Sequence, residues 1–171
     1  MLAVKSGSRD AFRSVVEHHQ SLVYAFCLRF LGDEALAKDA TQEVFLTLWN
    51  ERQDYDDRGK LRVYLFSIAR RRCLAAAKKR RSQRGLTEQL SAAGASDRVA
   101  EPAAGTLDAA ASIHRALASL PPKFAEAVIL RHLEGLELKE IAEITGLRLG
   151  TVKSRLGRGL AALRKELSDA S

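Results

Sequence analysis

The sequence predicts an all-α protein: two small helical domains joined by a flexible linker. Three observations lead there. Apolar residues recur at three- and four-residue spacing along most of the chain. Only three prolines and 11 glycines interrupt 171 residues, while leucine, alanine, arginine and glutamate abound, a composition that favours helices. The periodicity dissolves in one place, between about 85 and 106, into Ala, Ser, Gly and Asp with one Pro at 102, which marks a linker. The expected domains are therefore 1–84 and 107–171, with 85–106 between them.

The first domain should hold three helices. Phe12, Val15, Val16, His19, Leu22, Val23, Phe26 and Phe30 make one broad apolar stripe, and Gly32 ends it. A second helix over 35–49 turns Leu36, Ala40, Val44 and Leu48 inward. Residues 50–60 are polar and close on Arg-Gly-Lys, a loop. A third helix over 61–81 buries Leu61, Leu65, Ile68 and Leu74, with Tyr64 and Phe66 flanking and Phe66 read as core. Residues 86–90 have the pattern of a short helix.

The second domain should hold four helices, with a helix-turn-helix among them. The first covers 107–119 and stops before Pro121 and Pro122. Pro122 suits the first turn of the next, having no N–H to leave unpaired there; that helix buries Phe124, Val128, Ile129 and Leu133 and stops near Gly135. A short helix over 137–145 turns Leu138, Ile141 and Ala142 inward. After a tight turn at Gly146, the last helix runs over 149–167 with Leu149, Val152, Leu156, Leu160, Leu163 and Leu167 as its buried stripe. A short helix, a glycine turn and a longer basic helix make the helix-turn-helix. At about 100° per residue, Arg148, Thr151, Ser154, Arg155 and Arg158 fall roughly opposite the stripe, with Arg155 near the centre and Lys153 on the flank. A face of Arg, Thr, Ser and Lys suits a major groove, where Arg reads guanine and Lys and Ser bind phosphate.

Charge is distributed in blocks. Residues 33–57 hold eight acids and two bases, 58–87 hold 11 bases and no acid, and 144–165 hold six bases and no acid. With a net charge of +7, one acidic zone and two basic ones point to a protein partner and two contacts with a polyanion. Asp39, Gln42 and Glu43 stand at i, i+3 and i+4 and share a helix face, which suits a basic or polar partner helix.

Other classes are disfavoured. Cys27 and Cys73 sit in apolar helical patterns, with no disulfide framework. No run is apolar enough to span a membrane and no signal peptide opens the chain, so a reducing cytoplasm fits. The polar ending at 168–171 predicts no appended sensory domain. His18 and His19, adjacent in a helix, should point in different directions, and His114 and His132 lack neighbours at metal-ligand spacing. With no phosphate-binding glycine loop, no catalytic constellation, metal site or cofactor is expected.

Residues 120–165, LPPKFAEAVILRHLEGLELKEIAEITGLRLGTVKSRLGRGLAALRK, resemble region four of the extracytoplasmic-function (ECF) sigma factors of bacterial RNA polymerase, and GTVKSRL at 150–156 is the strongest signature. Some response regulators carry similar strings, but their acidic α/β receiver is missing here. AFRSVVEHH (11–19), DATQEVFLTLW (39–49) and LRVYLFSIARRRCLAAAKKRR (61–81) look like the three parts of region two. The resemblance implies a DNA-binding, non-enzymatic subunit that binds RNA polymerase core and directs promoter-specific initiation, often under an anti-sigma factor. It implies that Asp39, Gln42 and Glu43 contact the polymerase clamp. It implies that Lys60, Arg62, Tyr64, Arg70, Arg71 and Arg72 meet the melted minus-ten element, with a flipped base received by the loop at 54–60. Arg148, Thr151, Lys153, Ser154, Arg155 and Arg158 would meet the minus-thirty-five element. There are departures. Arg71 and Ala75 stand where the family usually has Asn and Asp, and Arg148 where it commonly has Ser or Thr. The first bears on minus-ten recognition; the second suggests an altered minus-thirty-five preference or an extra phosphate contact. The alternative from residues alone is a helix-turn-helix regulator that binds duplex DNA as a dimer, without polymerase.

Overall fold

The computed structural model of the chain describes residues 1–56, 59–90, 113, 115–117 and 119–169. Among these all regular structure is helical. The chain divides into two compact units, Met1–Val99 and Ala100–Ser171.

The first unit contains α1 (Leu2–Lys5), α2 (Arg9–Leu31), α3 (Glu34–Asn50) and α4 (Leu61–Leu90). The sequence did not mark α1; it buries Val4 and is tied down where Gln53 Nε2 donates to the Lys5 carbonyl at 2.6 Å. Ser8 caps α2, its hydroxyl accepting from Ala11 N–H at 3.2 Å, and Gly32 ends it at φ 62°, a left-handed conformation that glycine adopts without a Cβ penalty. Asp33 caps α3 in turn, accepting from Leu36 N–H at 3.0 Å. The core lies where α2, α3 and α4 meet. Phe26 and Phe66 are fully buried with ring centroids 5.2 Å apart, edge to face, and Val23, Val44, Leu48, Leu65 and Ile68 close around them.

Two expectations for α4 are corrected. The helix continues past 81, through Gly85, to Leu90; arginine and lysine are good helix formers, so the basic run does not end it. Leu74 is 40% exposed, and Cys73 is buried in its place. The inward face follows Ile68, Ala69 and Cys73, a turn phase set by small residues that the leucine-based pattern passed over. Cys73 lies against Cys27; both are buried and neither is in a disulfide. Its hydrogen bond to the Cys27 thiol, together with burial, pushes Cys73 well above the ordinary thiol range, so Cys73 stays a protonated core group.

In the second unit, Ile113, Arg115–Leu117 and Ser119 are helical and Ala116, Leu117 and Leu120 are buried; the rest of the expected 107–119 helix, and the linker beyond Leu90, lie outside the described residues. Helix α5 (Pro122–Val128) continues as one π turn, Ile129–Leu133, in which Glu134 N–H reaches Ile129 O at 2.9 Å. That turn corrects the expected burial of Leu133. A π turn takes one extra residue, so the inward position passes to Glu134, which is 3% exposed, while Leu133 is 39% exposed. Helix α6 (Leu138–Thr145) opens with a capping box between Glu137 and Glu140 and ends at Gly146, φ 69°. Helix α7 (Leu149–Asp169) follows.

Gly159 sets the distance between α7 and α5. A Cβ there would lie 2.8 Å from Val128 Cγ2 and 3.0 Å from the Phe124 carbonyl oxygen, whereas one at Gly157 meets nothing within 4 Å. Two glycines two residues apart in one helix should therefore respond oppositely to alanine. Gly157→Ala should stabilise by roughly 0.5–1 kcal/mol through reduced backbone freedom. Gly159→Ala must push a backbone carbonyl aside, and overpacking of this kind costs about 1–3 kcal/mol, enough to outweigh that gain. Thermal melting of the two variants should move Tm up for the first and down for the second.

Candidate nucleic-acid and protein interfaces

Asp39, Gln42 and Glu43 are all exposed on one face of α3. Beside them an open, mainly apolar groove of about 900 Å³ runs between α2 and α3, with Gln42 on its rim and Phe12, Val16, Phe45, Leu46 and Trp49 among its walls. Leu46 is 53% exposed. Sequence reasoning named the polar residues and missed the groove. The signal was available: Leu46 stands three residues after Glu43 and four after Gln42, so the outward face of α3 is apolar where a solvated face is polar. Phe12 and Trp49 pack ring to ring at 4.9 Å, and the Arg52 guanidinium covers the Trp49 ring at 4.2 Å.

The basic residues of α4 do not all face outward. Arg72 lies 3.5 Å from the Glu43 carboxylate and donates to Thr47 Oγ1 at 2.6 Å. Arg71 lies 3.9 Å from Glu51. Both pairs are exposed, and in the Arg72–Glu43 pair a residue expected at the DNA meets one expected at the polymerase. Arg62 and Arg70 are half-buried and Lys60 is exposed; Arg62 lies 5.6 Å over Phe66. Tyr64 is half-buried, its ring 4.8 Å from that of the buried Tyr55, and its hydroxyl donates to Glu51 at 3.0 Å. Burial, the hydrogen bond to Glu51 and the charge of Glu51 push the Tyr64 phenol up to about 12. Of the loop at 54–60, residues 57 and 58 lie outside the described residues. The rings of His18 and His19 are in edge contact at 4.8 Å rather than diverging; burial, the neighbouring His18 and Arg62 lower the pKa of His19.

In the helix-turn-helix, Gly146 N–H donates to the Ala142 carbonyl, and Leu147 N–H reaches the same carbonyl at 3.2 Å. The Arg148 carbonyl then receives Thr151 and Val152 N–H to start α7. Arg131 braces the approach, 3.4 Å from Glu137 and donating to the Leu136 carbonyl at 2.9 Å. Arg148, Thr151, Lys153, Ser154 and Arg158 are exposed. Arg155 is half-buried, which corrects its placement at the centre of the outward face. The buried stripe runs through Val152 and Gly159. Leu149, the first residue of the expected stripe, is 37% exposed, and the rotation brings Arg155 to the flank.

Described residues whose regular structure is all helical, with a helix-turn-helix whose exposed face is basic, mark a DNA-binding protein. Its sequence matches the family models Sigma-70 region 2 over residues 15–83 and Sigma-70 region 4 over residues 110–163. It is 32% identical over 178 residues to the ECF RNA polymerase sigma factor SigW of Bacillus subtilis (strain 168), covering 97% of this chain and 94% of that one. The fold is shared with the sigma factor RpoE of Bartonella quintana, solved in complex with the anti-sigma factor NepR, at TM-score 0.76 and 22% identity over 92% of this chain and 97% of that one. CnrH, solved with the cytosolic domain of CnrY, matches at TM-score 0.73 and 23% identity over 99% and 96%. The chain belongs to the ECF family of sigma-70 RNA polymerase sigma factors. It is an alternative sigma factor, which directs transcription initiation by binding RNA polymerase and promoter DNA. Among the described residues no helix is long and apolar enough to cross a membrane, and no three His, Cys, Asp or Glu side chains are placed to hold a metal ion.

The Glu43–Arg72 pair is about half exposed on both sides, so its coupling should be small. A double-mutant cycle of Glu43→Ala and Arg72→Ala, read by urea denaturation, is expected to give about 0.2–1 kcal/mol of favourable coupling. A coupling of zero would mean that the Glu43 ion pair does not hold Arg72, leaving the Thr47 hydrogen bond as its tie to α3.

Proposed function

We propose that residues 1–84 work as region two and residues 107–171 as region four, joined by a linker over 85–106. Asp39, Gln42 and Glu43 bind the polymerase clamp, with the adjoining groove taking apolar side chains of the same partner. The basic residues of α4, with Lys60 and Tyr64, meet the melted minus-ten element; a positively charged helix beside an aromatic ring supplies phosphate contacts and a stacking surface. Arg71 and Arg72 act there while paired with Glu51 and Glu43. The outward face of α7, Arg148, Thr151, Lys153, Ser154 and Arg158, enters the major groove of the minus-thirty-five element. The chain works in the cytoplasm and has no catalytic chemistry of its own. An anti-sigma factor is a fitting regulator, and the α2–α3 groove is where such a protein would compete with polymerase.

The observation that carries this reading is the pairing of three exposed polar side chains with an apolar groove on one face of α3, a polar rim beside an apolar centre. Asp39→Lys and Leu46→Asp should each weaken association with core polymerase by about tenfold or more, the loss expected of a central interface residue. Both positions are exposed, so thermal melting should stay within about 0.5 kcal/mol of wild type. Co-purification with core polymerase and run-off transcription on a genomic promoter library measure the effect. Unchanged core affinity in folded variants would rule the face out. A regulator independent of polymerase would instead bind duplex DNA as a dimer and leave core polymerase behind.

A further inference from the structure

A cleft of about 300 Å³ opens between the start of α5 and the outward flank of α7. Lys123 reaches it from α5; Thr151, Ser154, Arg155 and Arg158 line it from α7. Lys123 was not singled out from the sequence. Its ammonium lies 5.1 Å over the Phe124 ring, and that ring is itself a wall of the cleft, so the charge is held at the opening.

Three cations and two hydroxyls converge there, and no carboxylate is among the lining residues. Beneath it a smaller cavity is bounded by Lys123, Arg155 and the buried Glu126. One carboxylate under three cations leaves the cleft with a surplus of positive charge. Its location also fits an anion of one kind. A recognition helix lying in a major groove has sugar-phosphate backbone passing along its flanks, and preceding helices cross that backbone. The cleft lies on such a flank, and Arg155 sits there rather than on the outermost line of α7. Guanidinium forks, an ammonium and hydroxyls are the groups that bind phosphate oxygens.

We propose that Lys123, Arg155 and Arg158, with the Thr151 and Ser154 hydroxyls, seat one phosphodiester of duplex DNA, making Lys123 a positioning residue for the promoter and Arg155 a backbone contact instead of a base reader. The proposal rests on the reading of residues 107–171 as the duplex-binding unit. It assigns α5 a direct part in that unit's DNA contact.

The test uses holoenzyme reconstituted from the full chain and core polymerase, on a promoter selected by run-off transcription. Single phosphates along the minus-thirty-five duplex are replaced one at a time by neutral methylphosphonates. Wild type should lose affinity several-fold at one flanking phosphate. Lys123→Gln should bind the unmodified duplex several-fold more weakly, show little further loss at that same phosphate, and lower the salt slope by about one. Its preferences among single-base variants should stay as in wild type, and Lys123→Arg should restore the sensitive phosphate. Lys123 is exposed, so the substitution leaves the fold intact. Phosphate scans that coincide for wild type and Lys123→Gln would overturn the seat and leave an acidic protein segment as the cleft's anion. A wild-type holoenzyme insensitive to every phosphate and base of the minus-thirty-five duplex would overturn the duplex-binding reading itself, and the seat with it.

Discussion

Two small units have little interior, so each helix must hide one stripe and leave another face clear for a macromolecular partner. That division of each helix governs the structure. Helix α4 shows it most sharply, with Phe66, Ile68, Ala69 and Cys73 sealed inside while a run of bases occupies the rest of its circumference. Like charges so close together repel. The pairing of Arg71 and Arg72 with carboxylates of α3 and of the residue that follows it offsets part of that repulsion.

The partition ties together surfaces that look separate. Glu43 lies on the face assigned to the polymerase, yet its carboxylate meets Arg72 on the helix assigned to melted DNA. Glu51 similarly holds both Arg71 and the Tyr64 hydroxyl. Engagement of α3 by a partner therefore changes the electrostatic surroundings of α4 without any backbone movement. Surface pairs of this kind are weak, roughly 0–1 kcal/mol, so they tune the surface and do not lock it.

Much of this was legible in the sequence, for identifiable reasons. Gly32 and Gly146 were read as helix ends because each needs a left-handed backbone, and Pro122 as a helix start because it lacks an N–H. The exposed triad on α3 followed from i, i+3, i+4 spacing alone. Misreadings arose where small residues or irregular backbone set the phase. Cys73 displaced Leu74, Gly159 turned Arg155 to the flank, and one π turn exchanged Leu133 for Glu134. Leucine-weighted periodicity cannot see a contact made by an absent side chain. The groove on α2–α3 was missed for a related reason: periodicity marks an apolar stripe without showing how much of it is covered, and Phe12 and Val16 are only half-buried.

The π turn at Ile129–Leu133 has a consequence for everything that follows it. One surplus residue shifts the angular phase of the chain by about 100°, so the turn serves as an index mark that sets where the polypeptide leaves α5. Gly135 at φ 66° and the Arg131 brace then steer the chain into α6 from that starting angle. Removing one residue from the turn would let α5 close in regular α geometry with its apolar face intact, and by ordinary packing criteria the helix would be improved. The exit direction, however, would be rotated, and α7 would arrive pointed at a different azimuth. A local irregularity that looks like a packing defect thus encodes an orientation, and a gain in regularity there would be a loss of aim.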